Sequence, residues 1–317
     1  MIAKKFIIFI SIIYGYLVGA GLYGFSNDYY AEYYQSNLLY PHFYDKLGSL
    51  LSTLTIFETH IGVYLTSFIL SFSTGYILKC FFEIKQKYSY FAFFFIFLIT
   101  LHVHPVIMST SGAMRQGWAM SCIFFSIALI LRDKNKLSLL FIFFAIFMHK
   151  SGLIFFFIYL MSHLTFFLTQ GLKTKYVTLF AILLVGIVSF FLAIYMALLS
   201  GFSSSDHRIV AGDFRFAWLI VNLCYIFFFF LTYDNQKKKQ IKRICLFLYI
   251  HASTAPGLLY MGLNWQYERI NMVIGILLIL VISLFLKKNS FYLYLTLAMC
   301  TYLFLTIYQG MYSIGLT

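Results

Sequence analysis

The chain has 317 residues, of which 62% are hydrophobic and only 10% are charged. Soluble globular domains have about 45–50% apolar and about 25% charged residues, so this chain has too few polar side chains to cover a water-exposed surface. The composition excludes a soluble enzyme, a disulfide-rich secreted scaffold and a disordered tail. It predicts an all-α polytopic membrane protein, and the net charge of +13 then reports membrane topology rather than a nucleic-acid partner.

Apolar runs about as long as a membrane span follow one another along the chain, with short polar segments between them. They predict a single integral membrane domain over residues 1–317. The first run is interpreted as a span, because no small-residue cleavage site precedes a soluble domain. The eleven runs lie near residues 6–24, 59–79, 89–107, 116–131, 137–148, 152–169, 176–200, 214–232, 244–262, 271–286 and 291–308.

The fifth run, residues 137–148, is too short to cross a membrane at a right angle. Two interpretations remain open: it crosses a thin part of the membrane, or it is one arm of a helix broken at Lys150–Gly152. A ten-span version with one kinked crossing over residues 137–168 would place the basic segments 173–175 and 237–243 outside, against the positive-inside rule.

The basic residues predict the orientation of the chain in the membrane. With the N-terminus in the cytoplasm, 17 of the 23 Lys and Arg residues fall in cytoplasmic segments. Seven of the ten acidic residues fall outside, together with the other six basic residues. We therefore expect about eleven spans, a cytoplasmic N-terminus, an external C-terminus, and any chemistry at the outer face.

Arginine and lysine are distributed differently, since 15 of the 17 lysines fall inside and four of the six arginines fall outside. A lysine suffices as a topological point charge, whereas guanidinium groups suit planar or bidentate anion recognition. We interpret the outer arginines as anion-binding residues. They are Arg115, Arg208, Arg215 and Arg269.

The densest group of polar residues lies within residues 102–151. Arg115 and Gln116 stand where an outer loop, HPVIMSTSGAMRQG, enters the fourth span, and His149 and Lys150 stand at the outer end of the fifth. Because a short basic turn joins these two spans, we expect an antiparallel pair whose outer ends meet. Arg115 and His149 would then share one pocket. In the structural alternative, Arg115 snorkels to the interface and His149 caps a helix.

The signature region of the EpsG family resembles one part of this chain, RQGWAMSCIFFSIALILRDKNKLSLLFIFFAIFMHKSGLI. An Arg-Gln helix, a short basic turn and a second helix ending in His-x-Ser recur in that family, and here the helix pair covers residues 112–152. The resemblance extends to Asp28-Tyr29-Tyr30, to residues 58–62 and to residues 268–270. Ser26-Asn27 departs from the glycine-containing approach to the aspartate that the family pattern leads us to expect.

EpsG proteins resemble Wzy-type polysaccharide polymerases of bacterial surfaces. The resemblance therefore implies a GT-C-like architecture in the bacterial inner membrane, with an active site that faces the periplasm or the cell exterior. It implies a glycosyltransferase that moves a glycan from undecaprenyl diphosphate onto another lipid-linked repeat unit. The implied partners are this lipid-linked oligosaccharide, a flippase and a chain-length regulator, and no cofactor is implied.

Such a transfer needs donors for the charge of the lipid diphosphate and an acceptor for the proton of a sugar hydroxyl. His149 is expected to orient the acceptor or to act as the base, and Glu58 and Asp206 are the competing bases. The residues expected to bind substrate are Arg115, Gln116, Lys150, Arg208, Arg215, Arg269 and Asp28.

Two outer loops, near residues 25–58 and 201–215, carry several of these residues. The first is rich in tyrosine and carboxylates, so it is interpreted either as an interfacial aromatic belt or as a sugar-binding surface, with a short helix lying on the outer leaflet. The second mixes acids and bases within a few residues. It is interpreted either as a functional loop or as a solvated connection with weak ion pairs.

Two other functions remain open. A flippase or transporter for lipid-linked oligosaccharide would carry ionisable groups deep in its spans and internal repeats, and the sequence shows neither clearly. A membrane O-acyltransferase that modifies surface glycans would need a histidine-based site, which His149 could supply. No metal site is expected, because His102 and His104 would diverge on a helix.

Overall fold

The computed structural model describes residues 2–23, 46–57, 59–85, 89–172, 174–199, 215–233, 238–287 and 290–313. Most of these residues are helical. The helices are α1 Ile2–Gly19, α2 Lys46–Ser52, α3 Ile61–Ile84, α4 Tyr90–Leu101, α5 His104–Ile107, α6 Met114–Leu131, α7 Asn135–Met148, α8 Ser151–Gln170, α9 Lys175–Leu199, α10 Arg215–Thr232, α11 Lys239–Tyr260, α12 Asn264–Phe285 and α13 Ser290–Ser313.

Two short elements complete the described structure. A π-helical turn, Met108–Gly112, leads from α5 to α6. Strands β1 Thr55–Ile56 and β2 Thr59–His60 pair antiparallel ahead of α3. The sequence did not predict this hairpin, because two-residue strands are too short to show the alternation that marks a β-strand.

Each apolar run predicted from the sequence overlaps a helix, and the chain is an all-α polytopic membrane protein. Among the described residues, six helices are long and apolar enough to cross a membrane, and a seventh span is formed if α4 and the following bent segment are counted together. The six are Ile61–Ile84, Met114–Leu131, Ser151–Gln170, Lys175–Tyr195, Arg215–Thr232 and Gln266–Phe285. A count of eleven spans, the sides of the termini and a GT-C-like architecture stay predictions.

Two helices extend beyond their predicted apolar runs. α3 continues past residue 79, because Lys79 and Glu83 lie one helical turn apart and form an ion pair. α12 begins at Asn264, ahead of the predicted residue 271, so Glu268 and Arg269 lie in its second turn and do not open the helix. The polar side chains at the start of α12 are largely buried, a property that hydropathy along the chain cannot show.

The contacts of the chain form two compact units. Unit 1 contains Met1–Ile154 and Ile282–Gly310, and unit 2 contains Phe155–Val281 and Met311–Thr317. Each unit is described by itself. The interpretation of residues 1–317 as a single integral membrane domain stays a prediction.

The helices of unit 1 bring its basic segments to one end. α1 packs antiparallel on α3, since the hydroxyl of Ser71 donates to that of Ser11 over 3.1 Å while Gly75 faces Ile7. Arg132, in the turn between α6 and α7, binds Glu83 near the end of α3 at 2.7 Å. The segments that hold Lys4, Lys5, Lys79 and Arg132 therefore share one end, as the positive-inside interpretation requires.

Lys85 links the end of α12 to the basic end of unit 1. Its ammonium group donates to the carbonyl oxygens of Leu284 and Leu286 over 2.7 and 2.6 Å. A lysine at this position satisfies carbonyl groups that a helix C-terminus leaves unpaired. The opposite end of unit 1 carries the start of α3, the start of α6 and the end of α7.

Unit 2 is held by hydrogen bonds between its helices. The hydroxyl of Tyr249 in α11 donates to the carbonyl oxygen of Ile182 in α9 over 3.2 Å. The hydroxyl of Tyr225 in α10 donates to the carbonyl oxygen of Cys245 in α11 over 3.3 Å. Tyrosines that bury their rings and satisfy their hydroxyl groups on a neighbouring backbone fix how α9, α10 and α11 pack.

Candidate functional site

The hairpin of α6 and α7 determines which of their residues face each other. The hydroxyl oxygens of Ser126 and Ser138 lie 2.9 Å apart across the hairpin. Arg115 precedes Ser126 by eleven residues, and His149 follows Ser138 by eleven. Because both separations span close to three helical turns, this register carries Arg115 and His149 to the same end of the hairpin, where α6 begins and α7 ends. Their participation in one site stays a prediction.

We expect cysteines at positions 126 and 138 to form a disulfide. The double variant Ser126→Cys/Ser138→Cys, with the five native cysteines replaced, should cross-link under mild oxidation because the two side chains already touch. If the chain is cut in the turn between α6 and α7, the two fragments stay joined only when the disulfide has formed. Gel mobility without a reductant therefore measures the cross-link. The control pair Ser121→Cys/Ser138→Cys should stay reduced, and equal cross-linking of both pairs would contradict this register.

Arg115 lies in the first turn of α6 and is half-buried. The N-cap residue of this helix is Ala113, whose methyl group cannot accept a hydrogen bond. Side chains that do accept one, from Ser, Thr, Asp or Asn, are strongly preferred at N-caps. The first turn of a helix carries a partial positive charge and exposed N–H groups, so it attracts anions. Arg115 and the start of α6 both favour an anion at this place.

Two buried polar atoms, one in the first turn of α6 and one in the π-helical turn that packs on it, have no hydrogen-bond partner among the described residues. They are Oε1 of Gln116, a residue that is 1% exposed, and Oγ of Ser109, a residue that is fully buried. Leaving such an atom unpaired in the interior costs about 1–3 kcal/mol. Gly117 lets α6 pack closely on the π-helical turn, because a Cβ at this position would overlap the carbonyl oxygen of Ser109. These atoms suit a polar ligand or water at the start of α6.

The segment ahead of α6 is helical and largely buried, so it is not the irregular loop that the sequence suggested, while its position on the outer side stays a prediction. α4 and the segment His104–Thr110 meet at an angle of 59°. At the bend, the hydroxyl of Tyr14 donates to the carbonyl oxygen of Leu101 over 2.9 Å and satisfies a group that the break leaves unpaired. Pro105 stands in the first turn of α5, where proline is well tolerated.

His149 lies between α7 and α8 with an extended backbone and is 4% exposed. The backbone N–H of Ser151 donates to its Nδ1 over 3.2 Å, and the hydroxyl oxygen of Ser151 lies 2.8 Å from the same nitrogen. His149 therefore caps the start of α8, which was one of the two roles left open by the sequence. The break at Lys150, which is half-buried, agrees with the interpretation of α7 as one arm of a broken helix.

α2 covers the same end of the hairpin. It packs against α6 and α7, and its buried residues are Gly48, Ser49 and Ser52. A Cβ at Gly48 would overlap the carbonyl oxygen of Met148, the residue next to His149. The short helix expected in the first outer loop is present, and its glycine-containing face packs on protein. Its location on the outer leaflet stays a prediction.

The other predicted site residues are placed as follows. Arg215 and Arg269 belong to unit 2. Arg215 begins α10, where its carbonyl oxygen accepts a hydrogen bond from the hydroxyl of Tyr267 over 3.3 Å, and Arg269 follows Glu268, which is 1% exposed. The remaining ones lie outside the residues that the structure describes: Asp28, Glu58, Asp206 and Arg208.

Sequence reasoning missed a polar pair inside unit 2. The side-chain amide of Asn222 donates to Oδ1 of Asn271 over 3.0 Å, and the amide of Asn271 donates to the carbonyl oxygen of Tyr267 over 2.8 Å. Both asparagines are fully buried. Polar residues within membrane spans generally face the protein interior, so the lone asparagine in each of these two apolar runs was a usable signal.

The fold defines a polytopic membrane protein, and one end of a helical hairpin in unit 1 holds the cationic, polar and largely buried residues of the candidate site. The model of the EpsG family matches residues 5–314, so the chain belongs to the EpsG family. Membership indicates a polysaccharide polymerase-like membrane protein. No curated protein and no solved structure matches the chain.

Proposed function

We propose that this protein polymerises a bacterial surface polysaccharide, such as O-antigen, capsule or exopolysaccharide. It transfers a glycan from undecaprenyl diphosphate onto another lipid-linked repeat unit at the outer face of the inner membrane. The observation that carries the proposal is the hairpin register, which brings Arg115, at the start of α6, to the end where His149 lies.

The reaction matches what this end of unit 1 offers. An acceptor hydroxyl attacks the anomeric carbon of the donor glycan, a glycosidic bond forms, and the bond to the lipid diphosphate breaks. The diphosphate leaves with the electron pair, and the proton of the hydroxyl goes to a base, for which His149, Glu58 and Asp206 are the candidates. Arg115 and the positive end of α6 stabilise the charge that grows on the leaving diphosphate.

Further cationic residues suit the presence of two lipid-linked substrates. The donor and the acceptor each carry a diphosphate, so the reaction needs more than one place that binds such a group. Arg208, Arg215 and Arg269 are the candidates beyond Arg115, and Lys150, Gln116 and Asp28 are candidates for contacts with the sugars or the headgroup.

The orientation of unit 1 supports a site on the outer face. Lys85 and Arg132 lie at one end, together with the segments predicted to be cytoplasmic. Arg115 and His149 lie at the other end of the α6–α7 hairpin, about 25 Å away for a helix of this length. If the basic end faces the cytoplasm, lipid-linked glycan that has already crossed the membrane reaches the site from the bilayer.

A deletion strain tests the proposal. We expect it to display single capped repeat units and to regain long chains when the wild-type gene is restored. Purified protein in lipid vesicles should lengthen lipid-linked oligosaccharide extracted from that strain and release undecaprenyl diphosphate, without a flippase or a chain-length regulator. Repeat units retained in the cytoplasm would instead indicate a flippase, and full-length glycan lacking acyl groups would indicate an acyltransferase.

A further inference from the structure

The short helix α2 covers polar atoms at the start of α6 that have no hydrogen-bond partner among the described residues. We propose that α2 is a lid over a sugar-binding subsite. In this subsite Ser49, Ser52 and Gln116 hydrogen-bond to hydroxyl groups of the glycan next to the lipid diphosphate, and α2 moves aside to admit the glycan. The inference rests on the proposed polymerase function and deepens it, because it assigns a place to the sugar part of the substrate.

Two glycine contacts fix where α2 lies. A Cβ at Gly48, near its start, would overlap the carbonyl oxygen of Met148 at the end of α7. A Cβ at Gly62, in the first turn of α3, would overlap the carbonyl oxygen of Ser52 at the end of α2. α6 packs on both α3 and α7 and begins at the end of the hairpin where α7 ends, and α2 packs on all three helices. α2 therefore crosses over the first turn of α6.

The face that α2 buries is polar and unpaired. Ser49 and Ser52 are three residues apart, so they share one side of the helix, and Ser52 is fully buried. Their hydroxyl oxygens have no hydrogen-bond partner among the described residues, and the same holds for Oε1 of Gln116 in the first turn of α6. Buried polar groups in proteins are nearly always paired. Three such atoms on two helices in contact point to a polar ligand that binds between them.

The chemistry of these atoms favours a sugar over a phosphate. An amide oxygen such as Oε1 of Gln116 can only accept a hydrogen bond, and an ionised diphosphate has only acceptor oxygens. A sugar hydroxyl both donates and accepts, so it can pair with Gln116 and with a serine hydroxyl at once. The diphosphate suits Arg115 and the N–H groups at the start of α6. The sugar linked to it then lies under α2.

α2 is suited to move because little apolar surface holds it in place. Leu47 and Leu51 are only half-buried, and Leu50 is 63% exposed. The residues that are buried, one glycine and two serines, contribute little hydrophobic stabilisation. Burying two hydroxyl groups without partners also disfavours the closed position. A glycan that pairs with these groups removes this penalty, so α2 closes over the bound substrate and excludes water from the diphosphate.

Two lipids distinguish the sugar subsite from the place that binds the diphosphate. They are lipid-linked oligosaccharide from the deletion strain and undecaprenyl diphosphate, which carries no sugar. Binding is measured from the change in melting temperature that each lipid causes in detergent. We expect Ser52→Ala and Gln116→Met to weaken the binding of the oligosaccharide by about fivefold or more, the effect of one lost hydrogen bond, and to leave the binding of undecaprenyl diphosphate unchanged. Arg115→Ala should weaken the binding of both lipids.

The matched control is Ser121→Ala, one helical turn further along α6. The hydroxyl of Ser121 already donates to the carbonyl oxygen of Gly117 over 2.8 Å, so this variant should bind both lipids as the wild type does. Without lipid, Ser52→Ala and Gln116→Met should melt no lower than the wild type, because the atoms that they remove are unpaired. Lower melting temperatures for both variants, or unchanged binding of the oligosaccharide, would overturn the subsite.

The reactivity of a buried cysteine tests whether α2 moves. In a chain with the five native cysteines replaced, Ser52→Cys should react with a water-soluble maleimide whenever α2 lifts. Saturating oligosaccharide should slow this reaction about tenfold, because only the open state reacts. Lys46→Cys, at the exposed start of the same helix, should react rapidly with or without lipid.

Two results would overturn the lid. In one, Ser52→Cys never reacts, and in the other it reacts as fast as Lys46→Cys with the oligosaccharide bound. Neither measurement depends on turnover. Wild-type protein that shows the expected binding and protection but makes no polymer would overturn the proposed function and would support the subsite.

Discussion

Replacing Arg115 by alanine is expected to abolish long-chain glycan while the protein remains in the membrane. The guanidinium group lies in the first turn of α6, where the helix end and its alanine N-cap already favour an anion. Removing one donor aimed at charge that develops in a transition state lowers the rate by about 10²–10³-fold. Arg115→Lys should recover only a small part of the polymerisation rate, because an ammonium group cannot form a bidentate contact with the diphosphate. The glycan ladder on a gel and the amount of protein in the membrane are measured together.

The matched control is Arg132→Ala at the other end of the same helical hairpin. Arg132 binds the partly exposed Glu83 at 2.7 Å, and such pairs contribute at most about 1 kcal/mol. We expect this variant to make chains of normal length. If Arg115 only snorkelled to the membrane interface, Arg115→Lys would be fully active, because lysine snorkels equally well. A normal ladder from Arg115→Ala would contradict the assignment of Arg115 to the diphosphate.

Charge along the chain predicted more of the fold than hydropathy did. The segments that hold Lys79, Lys85 and Arg132 were assigned to one side from the distribution of basic residues between the apolar runs, and the contacts of unit 1 bring them to one end. This works because topology depends on the local excess of Lys and Arg in short loops, which is a property of the sequence itself. Hydropathy located the helices but misplaced the start of α12, where polar residues are buried in the protein.

The parts of the site that the sequence could not reveal depend on contacts between distant residues. That Arg115 and His149 lie at the same end of the hairpin could be predicted, because the turn between α6 and α7 is short. The packing of α2 could not be predicted. It depends on the contact of Gly48 with the backbone at Met148, which lies a hundred residues further along the chain. The buried Ser109 was likewise hidden, because its neighbours resemble a loop until the bend after α4 places them inside unit 1.

Gly117→Ala should lower both stability and activity. The added Cβ would overlap the carbonyl oxygen of Ser109 and come within 3.0 Å of Cγ2 of Thr66, so α6 must move away from the π-helical turn. Forcing an extra methyl group into a close-packed interior costs about 1–3 kcal/mol. Because Arg115 lies two residues away, we also expect at least a tenfold loss of polymer, since misplacing a catalytic group by about 1 Å can cost 10²-fold.

The chain offers a clean control in Gly171→Ala, because a Cβ at Gly171 would meet nothing within 4 Å. The apparent melting temperature in detergent should fall for Gly117→Ala and stay at the wild-type value for Gly171→Ala. Arg115→Ala should lose activity with little change in melting temperature. This result would distinguish the loss of a hydrogen-bond donor, as in Arg115→Ala, from the disturbed packing of α6 in Gly117→Ala. Equal melting temperatures for the two glycine variants would show that α6 tolerates the methyl group. The close approach of Gly117 to Ser109 would then not be what positions Arg115.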